Sequence, residues 1–306
     1  MTFKKRLLAV AAVGVALALP MTASAHRGWM VPSFTNLSGE GAWATIDAAV
    51  SNELFHPDHR PMRLDGVQVL APDGTADKIQ NSVTGQLRSV FDVQLSKPGT
   101  YKIFTATNSV MASYTENGEV KRFRGSAEDF AKQVPAGAAD LKTIKMSSRN
   151  ETFVTRDKPN TDALKPTGKG LELVPVTHPT DVVATEAATF KFVLDGKPAA
   201  DLEVTFAPGG HRWRATPGEI KLKTGPDGAV KFTLPEPGMY WVNATVRSGE
   251  TGRGPGGPGG GMGGGQGGPG GQGPGGQGGA PQGPALPLAG NGQSASYTAV
   301  IEAQRP

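Results

Sequence analysis

Short runs of alternating apolar and polar residues, separated by Gly, Pro, Asp and Asn, recur along this chain. An alternation with a period of two is typical of strands with one buried face, and the separating residues favour turns. The pattern therefore predicts an all-β protein. The candidate strands are 42–50, 88–95, 101–107, 189–194, 202–207, 229–234, 239–246 and 294–303. The main helix signal is short, at 126–133, with Ser126 as a suitable cap and Asp129 in the first turn.

Two stretches of the chain resemble each other. The segments "LSKPGTYKIFTAT" at 95–107 and "LPEPGMYWVNATV" at 234–246 share Leu, Pro, Gly and Tyr at the same offsets. Each has a Pro-Asp-Gly turn upstream, at 72–74 and 226–228. A strand, a Pro-Gly turn and a partner strand with Tyr near its start form a common corner in immunoglobulin-like sandwiches. A chance match between two hairpins is the alternative.

The repeated corner predicts two immunoglobulin-like β-sandwich domains, at 26–110 and 171–303. Residues 111–170 form a connecting region that is either an irregular linker or an elaboration of the first sandwich. The second domain contains a Gly-, Pro- and Gln-rich insertion at 249–292. Gly at this density cannot bury enough apolar area to offset its ordering entropy, so we expect a disordered loop between two strands of one sheet.

The first 25 residues have the pattern of a cleaved secretory signal. Residues 4–6 are basic, residues 7–19 are apolar, and Ala23-Ser24-Ala25 supplies the small residues that a signal peptidase accepts. The apolar run is shorter than the about 20 residues that a spanning helix needs. We therefore expect export to the periplasm and no membrane span in the mature chain.

Charge and cysteine content exclude several classes of function. A formal net charge of +4 becomes +1 once the three basic residues of the signal are removed, which leaves no basic patch for nucleic acid. The chain has no cysteine, so thiolate catalysis and thiolate metal sites are excluded. A metal would have to be held by histidine, carboxylate, methionine or the terminal amine.

Three of the five histidines form a candidate metal site. Cleavage after Ala25 makes His26 the first residue, whose amine and imidazole can close a chelate ring on one cation. His56 and His59 lie on one predicted loop, "HPDH", and either can add a further nitrogen. Such a nitrogen set favours Cu(II) or Ni(II). The alternative is that the loop histidines are only solvated and the first residue is arbitrary.

The remaining histidines and the absence of known catalytic motifs give no indication of a second metal site or of an active site. His178 and His211 lie in the predicted second domain, and we expect them to be structural or surface residues. The sequence contains no Gly-x-Ser-x-Gly elbow, no His-Glu-x-x-His helix and no phosphate-binding loop. We therefore expect a protein without catalytic turnover.

Four motifs carry a resemblance to a known family. They are "AHRGWMVPS" at the predicted mature start, "GKGLELVPVTHPTD", "FVLDGKPAADLEVTFAPGG" and "EIKLKTGPDGAVKFTLPEPGMYWVNAT". Together they resemble a periplasmic bacterial family of unknown function that is often labelled a nickel-uptake or cobalt/nickel-transport accessory component. The resemblance implies an exported double β-sandwich that handles nickel or cobalt. It also implies a partner such as an outer-membrane metal-uptake receptor or an inner-membrane transporter. The family's N-terminal histidine corresponds to His26, and its "VTHP" histidine to His178.

Three functions remain open from the sequence. The leading hypothesis is a non-catalytic periplasmic protein that binds a divalent transition metal (Cu, Ni or Co) in metal uptake or homeostasis. The second is a structural, carbohydrate-binding or partner-binding sandwich module without metal. The third is a copper mono-oxygenase built on the N-terminal histidine chelate. That enzyme needs a flat face with exposed aromatic residues, for which the sequence offers Trp29 and Trp43 nearby.

Overall fold

The computed structural model describes residues 26–249, 288 and 290–306. The predicted signal at 1–25 lies outside the described residues, and so does most of the predicted insertion at 249–292.

Strands dominate the described residues. In chain order they are β1 (Arg27–Pro32), β2 (Asn36–Leu37), β3 (Trp43–Ser51), β4 (Arg60–Pro61), β5 (Val67–Leu70), β6 (Ala76–Asp77), β7 (Gln80–Thr84), β8 (Ser89–Gln94), β9 (Gly99–Glu116), β10 (Glu119–Gly125), β11 (Ala139–Arg156), β12 (Leu171–Pro175), β13 (Ala187–Leu194), β14 (Lys197–Pro198), β15 (Glu203–Pro208), β16 (Ile220–Lys223), β17 (Ala229–Thr233), β18 (Gly238–Gly249) and β19 (Gly292–Ala303). A helix, α1, spans Ala127–Gln133, and short 3-10 turns lie at Asp162–Leu164 and His211–Trp213.

The described strands form three sheets. The first sheet has the order β1-β3-β8-β7, with β4 beside β3. The second, the long sheet, has the order β16-β15-β18-β19-β11-β9-β5-β6, with β10 beside β9 and β2 beside β11. The third sheet has the order β12-β13-β14, with β17 beside β13. Strand β11, from the predicted connecting region, pairs with β9 on one side and in parallel with β19 on the other, so strands from the two predicted domains belong to one continuous sheet.

The first core lies between the first sheet and strands β5, β9 and β11 of the long sheet. Its fully buried members include Met30, Phe91, Tyr101 and Val154. Along β8 the buried residues alternate with less buried ones, so one face of the first sheet is removed from water.

The second core lies between the third sheet and strands β11, β15, β18 and β19. The rings of Phe206 and Phe232 stack with centroids 4.3 Å apart, and Tyr297 meets Phe192 edge to face. Phe153 belongs to this core, whereas the next residue, Val154, belongs to the first. Because successive side chains of a strand point to opposite faces, the first and third sheets cover opposite faces of the long sheet. The all-β fold with two immunoglobulin-like sandwiches is thus confirmed.

The repeated sequence corner is also a repeated structure. Tyr101 is buried, and its hydroxyl oxygen accepts the backbone N–H of Lys97 at 2.8 Å. Tyr240 is equally buried, and its hydroxyl donates to the backbone oxygen of Glu236 at 3.0 Å. In both corners the hydroxyl therefore reaches back four residues, to the position before the Pro-Gly turn.

The connecting region at 111–170 is mostly regular structure in the described residues. Strand β9 continues to Glu116, β10 returns beside it, and β11 then runs along its full length. Between β10 and β11, helix α1 begins after Ser126, whose side chain accepts the backbone N–H of Asp129, as predicted. The described residues of this region extend the long sheet, and two of them, Phe153 and Leu164, belong to the second core.

A third apolar cluster joins the two sandwiches. It contains Trp29 and Ala49 from the first sheet together with Ala207, Trp241 and Val300 from the long sheet. The indole N–H of Trp241 donates to the backbone oxygen of residue 28 at 3.0 Å. The start of β1 therefore lies against β18 of the second sandwich. No helix in the described part of the chain is both long and apolar enough to cross a membrane.

Candidate metal site at the junction of the sandwiches

His26 and His59 lie in contact. Their rings stack with centroids 3.8 Å apart and planes at 27°. The register of the first sheet explains this contact, because the start of β1 pairs with the end of β3, Arg27 opposite Ser51. The loop that leaves β3 is folded back by Asp58, whose carboxylate accepts the backbone N–H of Asn52 at 2.8 Å. Strand pairing and this turn bring the two imidazoles together.

His56 is engaged by a residue from the second sandwich. The Nη1 of Arg212 lies 2.9 Å from the Nε2 of His56, and its Nε lies 3.3 Å from the carboxylate of Glu53. Arginine stays protonated in proteins and can only donate, so Nε2 of His56 accepts this bond. The neutral His56 ring consequently carries its proton on Nδ1.

The three predicted ligands are therefore not equivalent in the structure. His26 and His59 are adjacent, while the free lone pair of His56 is directed to Arg212. Within the described ranges, no group of three or more His, Asp or Glu side chains is arranged to hold a metal ion. The lone pairs of stacked imidazoles lie in the ring planes, so the stacked pair would have to reorient to share one ion. The donor chemistry fits a nitrogen-binding transition metal, with the processed amine of His26 as a further donor.

An ion pair between the two sandwiches involves the residue that follows His26. Arg27 follows His26 directly, and its Nη2 lies 2.7 Å from the carboxylate of Glu219. The guanidinium also sits over the ring of Trp241, 5.3 Å from the centroid. Burial lowers the pKa of His211, and the positive charge of Arg27 lowers it further. Sequence reasoning assigned His211 to the second domain as a structural or surface residue, and in the structure its loop contacts His56 through Arg212.

Arg212 is the residue at the candidate site that sequence reasoning did not select. It lies in the motif "APGGHRWR" at 207–214, and nothing in this motif indicates which loop of the other domain it meets. Its neighbour Trp213 is 86% exposed. The contact depends on how the two sandwiches pack, which no local pattern encodes.

His178 is not part of the candidate site, and its ring makes hydrogen bonds within the protein. Its Nδ1 accepts the backbone N–H of Thr180 at 3.3 Å, so the proton is on Nε2, which lies 3.1 Å from the backbone oxygen of Asn160. The hydroxyls of Thr180, Thr155 and Thr100 form a chain of hydrogen bonds that starts at Nδ1 of the ring and ends at its Nε2. The distances between bonded atoms are 2.8 to 3.1 Å. Burial lowers the pKa of His178. These bonds use both ring nitrogens and leave no lone pair for a metal.

Comparisons with known proteins give a family match and two distant structural likenesses. A family model described as "Domain of unknown function (DUF4198)" matches residues 23–248. No protein of curated function matches the chain. The D0-D1 domain of intimin is 17% identical over 70% of this chain and 88% of that one, with a TM-score of 0.18. A mutant of Salmonella alpha-2-macroglobulin is 12% identical over 73% of this chain and 14% of that one, also with a TM-score of 0.18. At such scores neither likeness bears on the site.

Proposed function

Because the chain belongs to the family described as Domain of unknown function (DUF4198), whose description names no activity, we propose a function from the residues themselves. The protein is exported and binds a divalent transition metal, Cu, Ni or Co, without catalytic turnover. It acts in metal uptake or homeostasis, and its partner is a metal-uptake receptor of the outer membrane or a transporter of the inner membrane.

The contact between His26 and His59 carries this proposal. Two imidazoles, one at the predicted mature terminus and one on a loop, meet with ring centroids 3.8 Å apart. Imidazole suits Cu, Ni and Zn, and soft thiolate ligands are absent from the sequence. Arg27, the residue after His26, pairs with Glu219, so this carboxylate is already engaged by a cation.

Processing completes the donor set. Cleavage after Ala25 gives His26 a free amine with an ordinary pKa of about 7.7–8.0, far below that of lysine, so the amine deprotonates at modest cost. The amine and imidazole of His26 form a chelate, and His59 adds a nitrogen from the neighbouring loop. His56, on the same loop, supplies the remaining imidazole once it leaves Arg212.

The mono-oxygenase alternative has less support. Trp29, one of the two aromatic residues considered for its substrate face, is 2% exposed and packs between the sandwiches. Trp43 is 40% exposed. The two rings considered from the sequence therefore do not form a flat aromatic face together, and the non-catalytic proposal is preferred.

Calorimetric titration of the processed protein with Cu(II), Ni(II) and Co(II) tests the proposal. We expect one ion per chain and weaker binding when a single residue precedes His26. His59→Ala should weaken binding by at least about tenfold, because even partners outside the ligand shell contribute about that much. His178→Gln is the matched control, since it removes a histidine whose nitrogens are already bonded.

The same titration under acid conditions provides a second check. The amine and the imidazoles must be unprotonated to coordinate, so affinity should fall steeply towards about pH 5. Equal affinity in the processed, extended and His59→Ala proteins would contradict the proposal and favour a sandwich module without metal.

A further inference from the structure

The guanidinium of Arg212 occupies the position that a metal ion would need on His56. A neutral imidazole has one nitrogen with a free lone pair, and the other nitrogen carries the proton. In His56 the free lone pair is on Nε2, 2.9 Å from Nη1 of Arg212. Coordination through Nε2 therefore requires this hydrogen bond to break.

Arg212 pairs with residues of the first sandwich, and the loop that carries it is anchored on the second. Its Nε lies 3.3 Å from the carboxylate of Glu53, which is on the same loop as His56. At the other end, Arg214 Nε donates to the backbone oxygen of residue 209 at 2.9 Å, and its guanidinium pairs with Glu236. Residue 209 in turn lies against the ring of Phe55, so the two loops are in direct contact. The arginine is thus presented to His56 by a constrained loop.

We propose that Arg212 competes with the metal ion for His56 and so sets when the third imidazole becomes available. This inference rests on the proposed function, because it concerns the same ion. His26 and His59 bind first, and full coordination follows when Arg212 is displaced. Coupling of this kind is reciprocal. The contact between the two loops weakens binding of the ion to His56, and a bound ion weakens that contact by the same free energy.

The tautomer of His56 gives a test without metal. At about pH 8, above the ordinary histidine pKa, ring nitrogen chemical shifts distinguish a proton on Nδ1 from one on Nε2. We expect the Nδ1–H form in the native protein and a mixture of both forms in Arg212→Ala. Arg63→Ala is the control, because Arg63 is an exposed cation of the first sandwich that pairs with Asp65. A mixture already present in the native protein would overturn the proposal.

A double-mutant cycle then tests the competition itself. Arg212→Ala should bind Cu(II) or Ni(II) about three- to tenfold more tightly, the range expected for losing one partly exposed charged hydrogen bond. In a His56→Ala background the same substitution should give no gain, because the competed nitrogen is gone. If Arg212→Ala still increases the metal affinity in the His56→Ala background, the gain comes from removing charge repulsion between the arginine and the ion. That result would overturn the proposal.

The outcomes separate the inference from the function on which it rests. If the native protein binds metal and Arg212→Ala leaves the affinity unchanged, the competition is wrong and the metal site stands. If neither protein binds metal above the level of the extended variant, the proposed function fails and the competition fails with it.

Discussion

At the scale of single residues, His178 shows how a histidine can be conspicuous in sequence and yet structural. Its ring bridges Thr100 of the first sandwich, Asn160 of the connecting region and Thr180 at the entry to the second. Protonation would place a second N–H on Nδ1, directed at the backbone N–H of Thr180. Two donors would then face each other, which agrees with the lowered pKa that burial gives this ring.

This environment predicts a specific loss of stability in acid. Because the folded pKa lies below the ordinary value of about 6.5, the stabilisation is complete above that pH. As the pH falls through 6.5 towards the folded pKa, the unfolded chain takes up the proton first and the free energy of unfolding declines. His178→Gln should be about 1–3 kcal/mol less stable at neutral pH, through lost hydrogen bonds. Its free energy of unfolding should also decline less steeply than that of the native protein as the pH falls.

Urea unfolding at a series of pH values measures both effects. His211 has a lowered pKa for a similar reason and contributes in the same direction, so His211→Gln is the matched comparison. An unchanged acid slope in His178→Gln would show that the ring does not titrate as its environment indicates.

The candidate site was predictable in part at this scale. His26, His56 and His59 could be selected because the signal pattern and the short "HPDH" loop are local features. That His26 meets His59 follows from pairing of β1 with β3, whereas the capture of His56 by Arg212 depends on packing between sandwiches. Local sequence patterns indicate the candidate histidines, but they indicate neither the strand pairing nor the packing between the sandwiches.

At the scale of elements, the strands with one buried face were predictable and β11 was not. The segments predicted at 42–50 and 229–234 appear as β3 and β17 with ends shifted by one residue at most. β11 was missed because its second half, 149–156, is buried on both faces and therefore lacks apolar alternation. Its buried Arg149 pairs with Glu151 at 3.2 Å and Glu172 at 3.1 Å, so charges occupy positions where an apolar pattern would be expected.

The link between β18 and β19 gives a prediction for the Gly-rich insertion. Residues 249 and 292 are cross-strand partners, so the two strand ends are already adjacent and a short connection can join them. Deleting 254–283 should change the free energy of unfolding by at most about 1 kcal/mol, because loop closure depends only weakly on length. Thermal unfolding followed by circular dichroism provides the measurement.

A longer deletion is the matched control for this element. Removing 254–291 also removes Leu288, whose backbone N–H donates to Ser113 at 2.8 Å, and Asn291, which accepts the backbone N–H of Thr143 at 2.7 Å. This variant should lose about 1–3 kcal/mol more than the shorter one. A large loss already in the shorter deletion would show that residues 254–283 contribute to the packed structure.

At the scale of the whole molecule, the two sandwiches are built around a shared sheet. β11 contributes Phe153 to one core and Val154 to the other, and β19 pairs with β11 over a continuous register from 144 to 152. Separating the sandwiches would expose this ladder and the apolar cluster around Trp29 and Trp241. Local sequence patterns identify each sandwich but not the sheet that they share.

The shared sheet predicts that the two sandwiches unfold in one cooperative transition. Scanning calorimetry should give a single peak whose calorimetric and van't Hoff enthalpies agree. Trp29→Ala should lower stability by about 3–5 kcal/mol, because Trp29 is 2% exposed and its removal leaves a cavity between the sandwiches. The peak should shift to lower temperature without splitting. Phe34→Ala, at a residue that is 60% exposed, should leave the peak nearly unchanged. Two separate peaks in the native protein would mean that the ladder between β11 and β19 is too weak to couple the sandwiches.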